Sequence, residues 1–321
     1  MKILVTPTSF LKPGNAKAKE MIEAFADEVV YNDLGRPLKG GEILERLAGV
    51  DGYIAGVDYI TADVVEKMPA SVKVISRYGA GVDRVDIPAC TKRGIAVTST
   101  PGANAVAVCE LAFGLMLAAA RNIPKLHAAV EGGEWPRSEG VELYGKTLGI
   151  VGLGAIGRNL AKRAVAFGMA VQAYDPYFDD AFAKEKGVKK AELDEVLSSS
   201  DFISLHVPLS DSTRHMIDAE RIGRMKKGAV IINTARGGLV DEAAAATALK
   251  DGRLGGVGLD AFEQEPLADS PLKGLDRVVL TPHTGAHTGE AVRNMGLMAV
   301  ENCISVLKGE ECRYVLNKQR G

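Results

Sequence analysis

Three glycines and three ionisable side chains carry the chemistry that can be read from this sequence. Gly152-Leu-Gly154-Ala-Ile-Gly157 follows the apolar run Thr147–Val151 and opens a stretch without proline or glycine, Arg158 to Phe167. A second run, Ala170–Tyr174, then ends on Asp175. Strand, glycine turn, helix and a strand closed by an acid make up the unit that binds a dinucleotide. Gly152 makes the tight turn, Gly154 lets backbone approach the pyrophosphate, and Gly157 lets helix and strand pack closely. The helix N-terminus adds N–H donors for the phosphates. Asp175 can accept from both hydroxyls of an adenosine ribose but repels a 2′-phosphate, so NAD is expected over NADP. A nicotinamide needs a substrate that exchanges hydride and a group that moves the accompanying proton. Arg236 presents a planar fork that can hold a carboxylate and polarise an adjacent carbonyl. His283 can give or take a proton near neutrality. Glu265 beside it favours the imidazolium, the better acid toward a keto group.

The elements that must position these groups follow from apolar patterning. Ligands of parallel α/β sheets bind beyond the carboxyl ends of the strands. One strand run ends in Asn233-Thr-Ala-Arg236, the next in Asp260 ahead of Glu265, the last in Thr281-Pro-His283. With Thr147–Val151, Ala170–Tyr174 and Asp201–His206 they form one α/β unit. His206, before Val207-Pro208, is expected to line the cofactor's path through backbone contacts, while His127 and His215 read as surface residues. The first hundred residues follow the same grammar, with strands at Lys2–Thr6, Glu28–Tyr31, Gly52–Ala55, Val72–Ser76 and Ile95–Thr98. Helix candidates lie between them, which implies a parallel sheet covered on both faces. Asn104 to Arg121 is apolar nearly all round and should be buried on more than one face. A subunit interface is favoured over interior core there, because Trp135-Pro-Arg137 beyond it looks like an exposed arm. A helix near Glu290 to Leu307 and a short terminal strand at Cys312–Leu316 are too few to fold alone. They should return to pack on the first unit.

Composition narrows the function classes. The 321 residues are 46% hydrophobic and 25% charged with a formal net charge of −2, which argues against nucleic acid or a membrane as the main partner. The N-terminal apolar run is too short for a signal peptide. Leu111 to Ala120, bounded by Glu110 and Arg121, is about half of what a bilayer span needs. Cys90, Cys109, Cys303 and Cys312 show no paired spacing, so reduced thiols in the cytoplasm are expected and no metal site is.

Taken in order, these segments resemble the D-isomer-specific 2-hydroxyacid dehydrogenase family, most closely its phosphoglycerate-dehydrogenase-like branch. The likeness rests on Ser76-Arg-Tyr-Gly-Ala-Gly-Val-Asp83, Gly149–Gly157, Asn233–Asp241, Gly258–Pro266 and Thr281-Pro-His283, and covers nearly the whole chain. It implies an α/β fold of two doubly wound parallel sheets. A Rossmann NAD domain, residues 101–285, is inserted into a flavodoxin-like substrate-binding domain made of 1–100 and 286–321. A homodimer held by the inserted domain is implied, with substrate between the domains. Carried over by position, Arg236 is the substrate-carboxylate arginine, His283 the acid/base and Glu265 its partner. Asp260 falls where the nicotinamide carboxamide is held. Ala155 and Ile156 match pyrophosphate contacts, Val207 and Pro208 adenosine-side contacts, and Thr234 and Ala235 nicotinamide-side backbone. Tyr78, Gly79 and Ala80 match a loop whose N–H groups receive the substrate's carboxylate.

The implied reaction is hydride exchange between NAD and a small 2-hydroxy or 2-keto acid. D-3-phosphoglycerate comes first, with glyoxylate, hydroxypyruvate or another 2-keto acid close behind. One departure bears on the phosphate. Where phosphoglycerate dehydrogenases place Arg-Ser after the third strand, this chain has Ala55-Gly56; Arg77, Arg36, Lys39 or Arg137 are the cations available instead. A reading from another class, an NAD-sensing corepressor-like binding protein, also tolerates the intact Arg236, Glu265 and His283.

Overall fold

The computed structural model describes residues 1–318 and divides into two compact units, Met1–Ala105 with the chain from Ala286 onward, and Val106–Gly285. In the first, β1 (Lys2–Val5), β2 (Glu28–Tyr31), β3 (Gly52–Ala55), β4 (Val74–Arg77) and β5 (Ala96–Thr98) form a wholly parallel sheet. Its order is β2-β1-β3-β4-β5, the flavodoxin-like arrangement with its switch point between β1 and β3. Leu4, Tyr53, Ala55, Ile75 and Val97 point to one face and join a core with Ile43, Leu47, Val65 and Cys90. Helix Gly289–Leu307 packs on β3, β4 and β5 and against helix Ala16–Phe25. Gly52 is required there, because a Cβ would lie 2.8 Å from Cys303 Sγ.

The expected terminal strand at Cys312–Leu316 is not a strand. One antiparallel bridge, Thr98 to Val315, is followed by the Leu316 N–H donating to Val97 O at 2.8 Å. The side chain of Asn317 then takes over from the backbone. Its Oδ1 accepts from the Val97 N–H, and its Nδ2 donates to Ile95 O, both at 2.9 Å.

The second unit holds a parallel sheet of β6 (Thr147–Val151), β7 (Ala170–Tyr174), β8 (Val188–Lys190), β9 (Phe202–Leu205), β10 (Ala229–Asn233), β11 (Leu254–Leu259) and β12 (Val278–Leu280). The order β12-β11-β10-β9-β6-β7-β8 is that of a Rossmann sheet with one added edge strand. Alternating side chains feed two cores: Ile203 and Ile231 on one face, Phe202, Val230 and Ile232 on the other. Each such buried side chain contributes roughly 1.5–3 kcal/mol. Helix Ala105–Ala120 lies in the second core through Ala112, Leu115, Met116 and Ala119, while Val106 is half exposed. Among the described residues no single helix is long and apolar enough to cross a membrane.

Candidate active site

Register places one row of residues across the second sheet: Val151 beside Leu205, Leu205 beside Asn233, Asn233 beside Leu259, and Leu259 beside Leu280. The glycine turn, His206, Thr234, Asp260 and Thr281 are therefore each the first residue, or part of the first turn, beyond that row. Parallel strands end together, so the side chains that follow share one edge.

The glycine turn is built for a phosphate chain. Gly152 has φ +98°, and a Cβ on it would lie 2.5 Å from His206 O. A Cβ on Gly157 would lie 2.2 Å from Gly152 O, so helix Ala155–Ala166 can close on the turn only with glycine there. A Cβ on Gly154 would meet nothing within 4 Å; that side is open for a ligand's approach. Gly154 caps the helix without a side-chain bond, leaving the first N–H groups, at Ala155 and Ile156, for an anion. Asp175 accepts from the Leu153 N–H at 2.6 Å and the Tyr177 N–H at 2.7 Å, so it shapes the turn.

Two buried polar atoms beyond the row have no partner: His206 Nδ1 and Thr234 Oγ1, each in the residue that follows one of the adjacent strands β9 and β10. Buried polar groups are nearly always hydrogen-bonded, so this pair marks where a polar ligand belongs. The other ring nitrogen of His206 lies 2.9 Å from Ser204 Oγ. Burial pushes the imidazole down to about 4, which keeps the ring neutral near pH 7. Val207, partly exposed, and Pro208, exposed, follow it. A nicotinamide dinucleotide fits these residues.

Arg236 is aimed by a side-chain turn. Asn233 Oδ1 accepts from the Ala235 N–H at 3.0 Å and its Nδ2 donates to Arg236 O at 2.7 Å, the local mimicry at which asparagine excels. Arg236 Nη1 donates to Ala235 O at 2.7 Å. The following Gly237 presses on the Glu265 loop, where a Cβ would come within 1.8 Å of Phe262 O. Glu265 Oε1 accepts from the Phe262 N–H at 3.2 Å and lies 2.8 Å from His283 Nδ1. That contact fixes the ring and leaves Nε2 on the far side.

His283 stands at φ +51° in a turn whose N–H donates to Thr281 O at 2.9 Å. Asp260, 1% exposed, pins both flanks of this turn. It accepts from Thr281 Oγ1 at 2.6 Å and from the N–H groups of Thr284 and Gly285, each at 2.8 Å. The carboxylate assigned by resemblance to the cofactor is thus also the anchor of the His283 turn.

In the first unit the expected anion loop is corrected in part. The Tyr78 N–H is taken by Ala55 O at 2.9 Å and the Gly79 N–H by Arg77 O at 3.0 Å. The Tyr78 ring is buried, with its hydroxyl donating to Val292 O at 2.9 Å and accepting from Asn15 Nδ2 at 3.1 Å. β4's ladder with β3 uses up the Tyr78 N–H, and a tight turn on β4 itself uses up that of Gly79. The N–H groups of Ala80 and Gly81 have no acceptor within the described chain, and both residues are accessible. Of the cations considered for a phosphate, Arg36 is bound through both nitrogens by Glu42, at 3.0 and 2.5 Å. Arg77, 9% exposed, places its guanidinium beneath this loop, donating to Tyr78 O at 2.6 Å and Ala55 O at 3.3 Å. Charge therefore reaches the Ala55 position from β4.

Comparison with known proteins agrees with this architecture. Residues 113–285 match the family model described as D-isomer specific 2-hydroxyacid dehydrogenase, NAD binding domain. A D-3-phosphoglycerate dehydrogenase of Methanocaldococcus jannaschii is 44% identical over 99% of this chain and 59% of its own length; the chain spans well under two thirds of that relative. A glyoxylate reductase of Thermococcus litoralis is 42% identical, covering 93% of both chains. Among solved structures, the TT0316 protein from Thermus thermophilus superposes with a TM-score of 0.88 at 38% identity over 98% of this chain and all of the other. The chain belongs to the D-isomer specific 2-hydroxyacid dehydrogenase family.

Proposed function

We propose that the protein is an NAD-dependent oxidoreductase that interconverts a D-2-hydroxy acid and its 2-keto acid, with D-3-phosphoglycerate as substrate. The observation that carries the reading is the Glu265–His283 pair at 2.8 Å, on the same sheet edge as the glycine turn and Arg236. When bound, NAD accepts or supplies the hydride. Arg236 holds the substrate carboxylate. His283 Nε2 protonates the keto oxygen in reduction or takes the hydroxyl proton in oxidation. Glu265 holds Nδ1 and balances the positive ring. Among the described residues no cluster of three or more His, Cys, Asp or Glu is arranged to hold a metal ion, and the roles above need none.

The name of the Methanocaldococcus relative supports a phosphorylated substrate. A second reading, reduction of glyoxylate or hydroxypyruvate, is favoured by Ala55-Gly56 and by the Thermococcus relative of nearly equal length. NADH oxidation measured with 3-phosphohydroxypyruvate, hydroxypyruvate and glyoxylate separates the two. The phosphorylated acid is expected to give the highest kcat/KM; equal or better turnover of the others would establish the second reading. Saturable NADH binding with no turnover of any acid would point instead to a sensor.

Asp175→Ala is expected to shift the ratio of NADH to NADPH kcat/KM toward NADPH by about tenfold or more, since a like charge at the 2′-phosphate is removed. NADH binding should weaken too, because two N–H groups lose their acceptor. An unchanged ratio would refute the ribose assignment. The exposed segment 131–140, with Trp135 82% exposed, and the half-exposed Ile123 and Val130 support a homodimer through this unit. Four buried unpaired cysteines support a cytoplasmic location.

A further inference from the structure

The loop that carries Glu265 is held by two imidazoles. His283 holds Glu265 at 2.8 Å, and His215 Nε2 lies 3.1 Å from Oε1 of Glu263, two residues upstream. Both histidines have positive φ, +51° and +47°, a conformation that side chains other than glycine seldom adopt. Strain of this kind persists where surrounding structure imposes it, often at a working site.

His215 has a second tie. Its N–H donates to Gly238 O at 2.6 Å, two residues beyond Arg236, and the intervening Gly237 packs its backbone on Phe262 and Glu263. The residue thus grips the Arg236 turn with its backbone and the Glu265 loop with its ring. The fold has other links between these segments: Ile217 bridges Val240, and the Asp241 N–H donates to Ile217 O at 2.9 Å.

We propose that His215 is a positioning residue for the reaction. With Glu263 it fixes the 262–265 segment against the Gly237–Gly238 turn, and so sets where Glu265 and Arg236 stand. The inference rests on the reading of Arg236, Glu265 and His283 as the reacting groups. The competing account is an ordinary surface pair, since the two side chains are 40% and 43% exposed and such pairs contribute little to stability. A purely stabilising pair would change the amount of folded enzyme and leave KM alone.

The test uses His215→Gly, which keeps the left-handed backbone and its N–H while removing the ring, and Glu263→Ala, which removes the acceptor. Each is expected to raise KM for the 2-keto acid about three- to fivefold, with NADH affinity, read by fluorescence titration, unchanged. The double variant should be no worse than either single one, and His215→Gln, which keeps a donor, should recover most of the loss. Unchanged KM in both single variants, or fully additive effects in the double variant, would overturn the proposal. His283→Ala assayed in parallel keeps the failures apart. If it retains turnover, the reading of the reacting groups falls; if it is inactive while His215→Gly and Glu263→Ala match the wild type, only the positioning role falls.

Discussion

Replacing His283 by alanine should lower kcat about 10²–10⁴-fold, the contribution of a positioned general acid or base, while NADH binding stays near the wild-type value. The ring meets Glu265 through Nδ1; in the proposed role Nε2 serves the reacting oxygen, so its loss removes the proton path and leaves the glycine turn and Asp175 untouched. Alanine also suffers at φ +51°, where a non-glycine residue costs about 1–3 kcal/mol. His283→Asn removes that ambiguity. Asparagine tolerates the left-handed region and keeps a polar side chain, yet it cannot carry the proton. Both variants should be equally inactive, with circular dichroism and NADH fluorescence unchanged. Substantial turnover in a folded His283→Asn protein would exclude the proton-transfer role. Glu265→Gln should retain more activity than either, because the amide oxygen can still accept from Nδ1–H and hold the ring.

Much of this site was legible in the sequence because parallel strands terminate in one row. Thr147–Val151, Ala170–Tyr174 and Ala229–Asn233 are compact apolar runs with sharp ends, so the residue after each is placed almost as soon as the strand is recognised. The glycine turn follows from the same logic, since each glycine answers a separate steric demand. What escaped depends on contacts that spacing does not encode. β8 (Val188–Lys190) is two-thirds lysine and sits on the sheet edge, where no apolar run is required. In the Tyr78–Ala80 loop, two of the three N–H groups offered for an anion have acceptors within the chain. Nothing in Tyr78-Gly79-Ala80-Gly81 reveals that β4's ladder continues through Tyr78 and that a tight turn takes the Gly79 N–H. His215 is accessible, as its sequence context suggests, but its contact with Glu263, 48 residues away, could not be read there. Asp260 likewise gives no sign in the sequence of the three hydrogen bonds it accepts from residues 281–285. Side-chain-to-loop bonds over long sequence distances are set by tertiary packing, and a strand pattern is silent about them.

Arg236→Lys should reduce kcat/KM about ten- to hundredfold although the charge is kept. A charge-assisted hydrogen bond is worth about 1.5–3 kcal/mol, and lysine cannot reproduce the two parallel bonds of a guanidinium to a carboxylate. The Asn233 turn that aims the side chain uses only backbone atoms of residues 235 and 236, so it survives the substitution and the loss reports the fork itself. Arg236→Gln should lose more, because the charge goes too. The effect is expected to fall on KM for the keto acid and on kcat together, since in the proposed role the same fork binds the carboxylate and polarises the neighbouring carbonyl. NADH affinity should change little. The dependence on substrate is the sharper measurement. If Arg236 holds the carboxylate shared by every 2-keto acid, the fold-loss will be the same for glyoxylate, hydroxypyruvate and 3-phosphohydroxypyruvate. If the loss is confined to the phosphorylated acid, Arg236 is the phosphate cation.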